Sequence, residues 1–166
     1  MRPSPRLFAL LLTTLLLGAC GFHLRGQEPM PFKSVYVETG NPKSPFIGEL
    51  RRDFERSRVI QTATAKTADV VLQIVYENSE MQILTLDSSG RVTEFRLIYR
   101  VSLRAYDHKK QDWIPSIVME MHRDFFYDDS LVLAKQSEQN LLADSMYKEM
   151  AQQIVRRLSL AKPQPQ

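Results

Sequence analysis

Apolar and polar side chains alternate along residues 92–105 of the chain. The odd positions are apolar, at Phe95, Leu97, Tyr99, Val101, Leu103 and Ala105. The even positions are mainly charged or polar, at Glu94, Arg96, Ile98, Arg100, Ser102 and Arg104. Because successive side chains of a strand point to opposite faces of a sheet, this pattern predicts an antiparallel strand with one face in the core and the other in solvent.

Three further segments predict strands, because they are rich in β-branched and aromatic residues. The first runs from Ser34 to Glu38, the second from Val70 as far as Leu86, and the last from Trp113 to Phe126. The sequence Asp87-Ser88-Ser89-Gly90 is a turn signal before the alternating strand, and the charged segment 107–112 is a second turn after it. The last three strands are therefore expected to form two consecutive hairpins.

Two segments have the spacing of amphipathic helices. Ser44 is a suitable N-cap with Pro45 at the first helical position, and an apolar stripe follows at Phe46, Ile47, Leu50 and Phe54. Near the C-terminus an apolar residue recurs at every fourth position, at Leu142, Met146, Met150, Ile154 and Leu158. The segment Asp128-Asp129-Ser130 is expected to cap this last helix, since acids favour the positive end of the helix dipole.

The predicted order is strand, helix, three strands, helix. This order is satisfied by an α+β fold of two layers, in which two helices pack on one face of a four-stranded mixed β-sheet. If the strands on either side of the first helix are parallel, the crossover between them is right-handed. We expect one domain over residues 33–160, a length sufficient for a single core, and a disordered tail at residues 161–166.

The first twenty residues have a different pattern. Arg2 and Arg6 precede an apolar run from Leu7 to Leu17, which is too short to cross a bilayer of about 30 Å and is typical of a secretory signal. Two small residues then lead to Cys20, the only cysteine of the chain. The arrangement resembles the lipobox of bacterial lipoproteins, so residues 1–19 are expected to be removed as a signal peptide. The alternative is an ordinary cleaved signal followed by an unpaired thiol, which is a liability in an oxidising compartment.

A lipid on Cys20 would anchor the mature chain to a membrane. N-acyl and S-diacylglycerol groups together anchor firmly, whereas a single acyl chain is only marginal. Residues 20–32 contain glycines and prolines and are expected to form a tether. Gly21 occupies the position where the resemblance to Gram-negative lipoproteins makes Asp the usual inner-membrane retention signal. We therefore expect the protein on the periplasmic face of the outer membrane, with no cofactor other than this covalent lipid.

The charge of the mature chain is nearly balanced. The whole sequence has 22 Lys and Arg against 19 Asp and Glu, and removal of residues 1–19 takes away Arg2 and Arg6, which leaves a formal charge of +1. Nonspecific nucleic-acid binding needs an excess of positive charge, which the mature chain lacks. The predicted secretion signal would also remove the chain from the compartment that contains nucleic acid. Without a second cysteine, the fold depends on packing rather than on disulfide bonds.

The sequence displays no catalytic constellation that would indicate an enzyme. The three histidines have no spacing typical of a metal site, and no glycine-rich phosphate loop is present. The adjacent acids Asp128 and Asp129 are better explained as a helix cap than as an acid/base pair. We therefore expect a binding or structural protein and no metal site.

One local cluster of charge is a candidate binding site. Arg96, Arg100 and Arg104 share the polar face of the alternating strand and form a basic stripe. One interpretation is an ordinary solvated face, and the other is a contact with phosphates, which arginine binds through two parallel hydrogen bonds. Arg91 at the hairpin tip and Lys135 near the start of the last helix are further candidate cations.

Several short segments resemble the LptE family of lipopolysaccharide-assembly lipoproteins. They are residues 20–26 (CGFHLRG), 123–126 (RDFF), 133–139 (LAKQSEQ), 146–147 (MY) and 153–158 (QIVRRL). Their order and spacing extend the resemblance from Cys20 to about Leu158. The family fold also agrees with the predicted order of strands and helices.

This resemblance implies a partner and a ligand. The partner is LptD, a large outer-membrane β-barrel whose lumen the lipoprotein plugs and which it helps to assemble, and the ligand is lipopolysaccharide on its way to the outer leaflet. Lys135 lies at the family position for a lipopolysaccharide contact. Where some relatives have a basic residue before the hairpin glycine, this chain has Ser88 and Ser89, so Arg91 is expected to substitute for it. We also expect Ser88 and Ser89 to contact the barrel wall, with a mobile turn as the alternative.

Two other classes of protein remain open at this stage. A free-standing periplasmic lipid-binding lipoprotein would need a deep apolar pocket, and an envelope hydrolase would need a catalytic group that the sequence does not display.

Overall fold

The computed structural model describes residues 29–128 and 132–163. Within them the strands and helices follow in the order β1 Ser34–Thr39, α1 Pro45–Arg56, β2 Ile60–Gln61, β3 Val70–Leu86, β4 Val92–Asp107, β5 Asp112–Phe126 and α2 Val132–Leu160. A short 3-10 turn, Ala65–Thr67, precedes β3. The α+β class is confirmed, while the predicted signal peptide, Cys20, Asp129, Ser130 and the last three residues lie outside the described residues.

The described strands form one mixed sheet in the order β2-β1-β3-β4-β5. The strand β1 runs parallel to both β2 and β3, and the pairs β3–β4 and β4–β5 are antiparallel. The prediction of four strands was therefore one short. The missing strand, β2, has only two residues, too few for an alternating pattern, and it is defined by backbone pairing in which the Ile60 N–H donates to the Lys33 carbonyl at 2.9 Å.

The core lies between the inner face of the sheet and the two helices. The odd-numbered residues of β4 from Leu97 to Ala105 are buried, as the alternation predicted. The apolar stripe of α1 is fully buried as well, and its N-cap is confirmed because the Ser44 hydroxyl accepts the Phe46 N–H at 3.2 Å. Four members of the predicted α2 stripe are fully buried, at Met146, Met150, Ile154 and Leu158, whereas Leu142 is only partly buried.

A bulge in β3 changes which of its residues face the core. Ile74 pairs with Leu103, but the next paired residue is Tyr76, opposite Ser102, so Val75 is an extra residue without a partner. The alternation is shifted by one residue at this point. Beyond the bulge Glu77, Ser79, Met81 and Ile83 therefore lie on the inner face, opposite the apolar positions of β4.

The antiparallel strands β3, β4 and β5 extend well past the buried core, and β3 and β4 end in a long hairpin. Between β3 and β4 the turn closes at Gly90, whose φ of +80° lies in the left-handed region that favours glycine. At Tyr127 the backbone is still attached to this end of the sheet, because the Tyr127 N–H donates to the Thr93 carbonyl at 2.9 Å. The helix α2 begins five residues later, so the hairpin tip and the start of α2 lie at one end of the molecule, which we call the tip end.

Candidate functional site

The outer face of β3, β4 and β5 presents a ladder of ion pairs. The Arg96 guanidinium donates two hydrogen bonds to Asp124, at 2.7 and 2.8 Å. Arg100 lies between Glu80 and Glu120, at 2.6 and 2.5 Å. These side chains are about one third to one half exposed, so each pair contributes little by itself and the network matters more than its members.

The ladder alters the ionisation of its members. The pKa of the Asp124 carboxyl is lowered, mainly because it accepts the hydrogen bonds of Arg96. The pKa of the Arg100 guanidinium is raised by its hydrogen bonds to Glu80 and then to Glu120. These shifts favour the charged forms of Asp124 and Arg100, and each arginine of the ladder lies beside at least one carboxyl group.

The predicted basic stripe is thus present on one face, but none of its arginines is a free cation. Arg104 is the most weakly paired member, with Asp112 at 3.3 Å, and its guanidinium lies 4.8 Å from the centre of the Tyr106 ring. A phosphate would have to compete with a carboxylate for each arginine. The assignment of Arg96, Arg100 and Arg104 as lipopolysaccharide contacts stays a prediction that this pairing makes less favourable.

The hairpin tip is built around Asp87. One carboxylate oxygen of Asp87 accepts the backbone N–H groups of Ser89 and Arg91, at 2.8 and 2.9 Å, and the other accepts from the Arg91 guanidinium at 2.9 Å. These bonds, with the Arg91 backbone N–H as the largest contribution, lower the pKa of the Asp87 carboxyl. Ser88 and Ser89 are exposed beside this ordered turn, so both hydroxyls are accessible to a partner.

Lys135 lies in the first turn of α2 and therefore at the tip end. Its ammonium is 2.8 Å from Glu138, and about one fifth of the side chain is exposed. The fold thus brings Lys135 and Arg91 to the same end of the molecule. Arg104 is far from Arg91, because thirteen steps of extended backbone, about 43 Å, separate the two residues.

Exposed apolar side chains also concentrate at the tip end. Those on or beside the hairpin and the first part of α2 are Met81, Ile83, Leu84, Leu86, Phe126, Leu133 and Leu141. Leu133 is 86% exposed and Phe126 is 71% exposed, although aromatic and leucine side chains usually avoid water. Concentrations of exposed apolar side chains are typical of interaction sites.

The segment 123–126, one of those on which the family resemblance rests, has a structural role. Arg123 donates to Glu149 of α2 at 2.5 Å and so connects the last strand to the last helix. Asp124 pairs with Arg96 in the ladder, and Phe125 is buried with its ring stacked 5.9 Å from that of Phe95. The last residue of the segment, Phe126, is the exposed one.

Sequence reasoning missed a buried polar cluster around Glu77. One oxygen of Glu77 accepts the hydroxyls of Ser44 at 2.6 Å and Tyr99 at 3.0 Å. Its other oxygen is buried with no hydrogen-bond partner among the described residues. The pKa of the Tyr99 hydroxyl is raised far above its usual value, mainly because the hydroxyl is buried and secondly because the negative charge of Glu77 is close. The one member of this cluster that the sequence singled out was Ser44, as the N-cap of α1. Its hydroxyl accepts the Phe46 N–H and also donates to Glu77.

The described residues contain no group of three or more His, Cys, Asp or Glu side chains able to bind a metal ion. Among the same residues, neither helix is both long and apolar enough to cross a membrane. The described part of the chain presents an ion-pair ladder on one face and an amphipathic tip end. These features define a two-layer α+β domain with a charged face and an amphipathic end.

Comparison with known proteins identifies the family. The LptE family model, described as lipopolysaccharide assembly, matches residues 32–158. A protein from Pectobacterium atrosepticum named LPS-assembly lipoprotein LptE is 28% identical over 158 residues, which cover 92% of this chain and 85% of that protein. A Yersinia pestis protein of the same name is 27% identical over 150 residues, with 89% and 72% of the two chains covered.

Solved structures share this fold. The solution structure of uncharacterized lipoprotein B from Nitrosomonas europaea has a TM-score of 0.71 and 33% identity, covering 84% of this chain and 90% of that one. The crystal structure of rare lipoprotein B from Shewanella oneidensis, with a TM-score of 0.66, shares the fold at 24% identity, and the match covers 74% of this chain and 91% of that one. The chain belongs to the LptE family of lipopolysaccharide-assembly lipoproteins.

Proposed function

We propose that this protein is anchored through a lipid on Cys20 to the periplasmic side of the outer membrane, where it plugs the lumen of the LptD β-barrel, helps that barrel to assemble and binds lipopolysaccharide during its insertion into the outer leaflet. The observation that carries the proposal is the family match over residues 32–158, which spans the whole packed domain. The family assignment also agrees with a non-enzymatic role.

The ladder face supports the plug role. The lumen of a large outer-membrane barrel is polar and filled with water, so a plug must present charged surfaces without a large excess of one sign. The pairing of Arg96 with Asp124 and of Arg100 with Glu80 and Glu120 provides such a surface. A face of this kind also remains soluble during transit through the periplasm.

The tip end supports lipopolysaccharide binding. Lipopolysaccharide combines phosphates with acyl chains, and the tip end combines the cations Arg91 and Lys135 with exposed apolar residues such as Leu133 and Ile83. Charge-assisted bonds from Lys and Arg to phosphate are among the stronger hydrogen bonds in proteins. We assign the lipopolysaccharide contact to this end because Arg91 and Lys135, although each is paired with a carboxylate, lie at the same end of the molecule as the exposed apolar side chains that would contact acyl chains.

Co-purification tests the proposal. The full chain with a C-terminal affinity tag is expressed in a Gram-negative host and extracted from its membranes in mild detergent. We expect a stoichiometric complex with LptD. Recovery of the tagged protein as a monomer with bound phospholipid would contradict the plug role and favour a free-standing lipid-binding lipoprotein.

The lipid anchor has its own test. The Cys20→Ser variant lacks the thioether site and should remain an uncleaved or mislocalised precursor. Incorporation of labelled palmitate should be lost in this variant and retained in a Ser88→Ala control, which leaves the N-terminus intact. Equal labelling of the Cys20→Ser variant and the unmodified protein would contradict lipidation at this site.

A further inference from the structure

A surface cleft opens where the described chain begins, at the end of the molecule opposite the hairpin tip. Its wall contains three cationic side chains and three apolar ones, namely Lys33, Arg56, Arg58, Met30, Phe32 and Ile60. Of these apolar residues, Phe32 is buried in the core, whereas Ile60 is 65% exposed. The cleft is therefore amphipathic, with cations beside an apolar side chain that projects into solvent.

The cations of the cleft are only partly compensated. Among the described residues, neither Lys33 nor Arg58 forms an ion pair, and no carboxylate belongs to the cleft wall. Arg56 is bound to Asp53 at 2.8 Å. Asp69, which contacts the backbone of Lys33, accepts the backbone N–H groups of Lys33 and Ser34 at 2.9 Å each. This arrangement contrasts with the ladder face, where every arginine of the stripe has a carboxylate partner.

The tether limits how far the cleft can lie from a membrane anchor. Only residues 21–28 separate Cys20 from Pro29, which is at the rim of the cleft. Nine extended backbone steps span at most about 30 Å. A lipid on Cys20 would therefore keep the cleft, and not the hairpin tip, within that distance of the membrane surface.

We infer that the cleft docks on the anionic phospholipid surface of the leaflet that holds the lipid anchor, with phosphatidylglycerol phosphates bound by Lys33, Arg56 and Arg58 and with Ile60 entering the headgroup region. The inference rests on the lipid anchor of the proposed function but not on lipopolysaccharide binding or on LptD. Clustered Lys and Arg side chains attract anionic leaflets, and an adjacent apolar side chain adds burial at the interface. Docking would fix the orientation of the domain relative to the membrane.

Fluorescence of a single label tests the inference on the full mature chain. Cys20 is blocked by its lipid, so the Ile60→Cys variant has one free thiol, which is labelled with an environment-sensitive dye. The lipidated protein is placed in nanodiscs of phosphatidylcholine alone or with 30% phosphatidylglycerol. We expect blue-shifted, brighter emission only in the nanodiscs with phosphatidylglycerol, and no such change for a label at Asn41→Cys, in the turn between β1 and α1.

Charge variants complete the test. Adding Lys33→Gln and Arg58→Asn should reduce the response, by about fivefold in apparent affinity for each cation lost. Asn is chosen because residue 58 has a φ of +57°. The matched control, Lys43→Gln with Lys148→Gln, removes two exposed cations away from the cleft and should keep the response.

Two results would overturn the inference. One is identical emission in both kinds of nanodisc. The other is emission that changes only when lipopolysaccharide is added. Because lipopolysaccharide binding by the Lys33→Gln, Arg58→Asn variant is measured separately, a failure of docking is distinguishable from a failure of the proposed function.

Discussion

The hydroxyl of Tyr99 donates a 3.0 Å hydrogen bond to Glu77 on the neighbouring strand, inside the layer between the sheet and the helices. Tyr99 is one of the largest fully buried side chains, and its ring contacts those of Phe46 and Tyr147. The carboxylate of Glu77 would otherwise be a poorly compensated buried charge, since its second oxygen has no partner among the described residues. This hydrogen bond is therefore expected to be important for stability.

Removal of the Tyr99 hydroxyl tests this expectation. Tyr99→Phe keeps the ring contacts and leaves Glu77 with Ser44 as its remaining donor. A hydrogen bond to a charged group contributes about 1.5–3 kcal/mol, so the free energy of unfolding should fall by about that amount. Urea denaturation of the mature chain measures it.

The matched control is Tyr106→Phe. The Tyr106 hydroxyl is 3.4 Å from Glu38 and less buried, so its removal should have a smaller effect. If the two variants lost equal stability, the hydrogen bond from Tyr99 to Glu77 would have no special weight.

The position of Glu77 shows where sequence reasoning ended. The alternation in β4 predicted its buried face correctly, because the residues of β4 from Glu94 to Leu103 pair with β3 one after another, without a bulge in β4 itself. In β3 the same reasoning fails after Ile74, since the unpaired Val75 moves Glu77 inward and Tyr76 outward. A bulge depends on pairing with the neighbouring strand, and a single strand sequence does not encode that pairing plainly.

The candidate site was likewise predictable only in part. The sequence placed Arg96, Arg100 and Arg104 on one face, which a period of two residues determines. The sequence did not predict the acidic partners of these arginines. Asp124 lies opposite Arg96, and Glu120 opposite Arg100, only because β4 and β5 pair in one particular register. The approach of Lys135 to the hairpin tip also depends on chain topology, which brings Tyr127 beside Thr93.

Asp69 predicts a dependence of stability on acid pH. Burial alone would raise the pKa of its carboxyl, but hydrogen bonds from the backbone N–H of Lys33 and from Ser34 outweigh burial and lower the pKa. A lowered pKa in the folded state adds stability above the unfolded value of about 3.9, and this stability is lost as the pH falls through the lowered folded value. We expect Asp69→Asn to be less stable than the unmodified protein at pH 6 and the difference to shrink towards pH 3.

Thermal denaturation between pH 6 and pH 3 measures this effect. Asp144→Asn, at an exposed position on α2, is the control and should give a curve parallel to that of the unmodified protein. If the stability difference between Asp69→Asn and the unmodified protein stayed constant across this pH range, the charge of the Asp69 carboxylate would not contribute to the stability of the fold.

The ordered hairpin tip predicts a contact with the barrel. Ser88 and Ser89 are exposed on a turn that Asp87 stabilises, and a rigid exposed tip is suited to a fixed partner. Photo-crosslinking amino acids at Ser88 and Ser89 should capture LptD in living cells. Val118, exposed on the ladder face, tests that crosslinking to the barrel succeeds elsewhere. Crosslinks at Val118 with none at either serine would favour a mobile turn without a contact.

Lipopolysaccharide binding should depend on charge at the tip end. The Lys135 ammonium is shared with Glu138 at 2.8 Å, so a binding role predicts opposite effects for the two residues. Lys135→Asp should weaken binding more than Lys135→Ala, and Glu138→Gln, which releases the ammonium, should strengthen it. Screening by salt acts on exposed charges, so raising the salt concentration should narrow all of these differences.

Stability decides whether these effects belong to binding or to folding. Exposed and partly exposed ion pairs contribute at most about 1 kcal/mol, so the charge variants should melt close to the unmodified protein. The decisive variant combines Lys135→Asp with Arg91→Asp and is measured by a lipopolysaccharide-binding assay on purified, folded protein. The control combines Lys43→Asp with Arg51→Asp, which reverses two exposed cations away from the tip end. If the tip-end variant bound lipopolysaccharide as tightly as this control and kept its thermal stability, Lys135 and Arg91 would not be the ligand contacts, and only the plug role of the proposed function would remain.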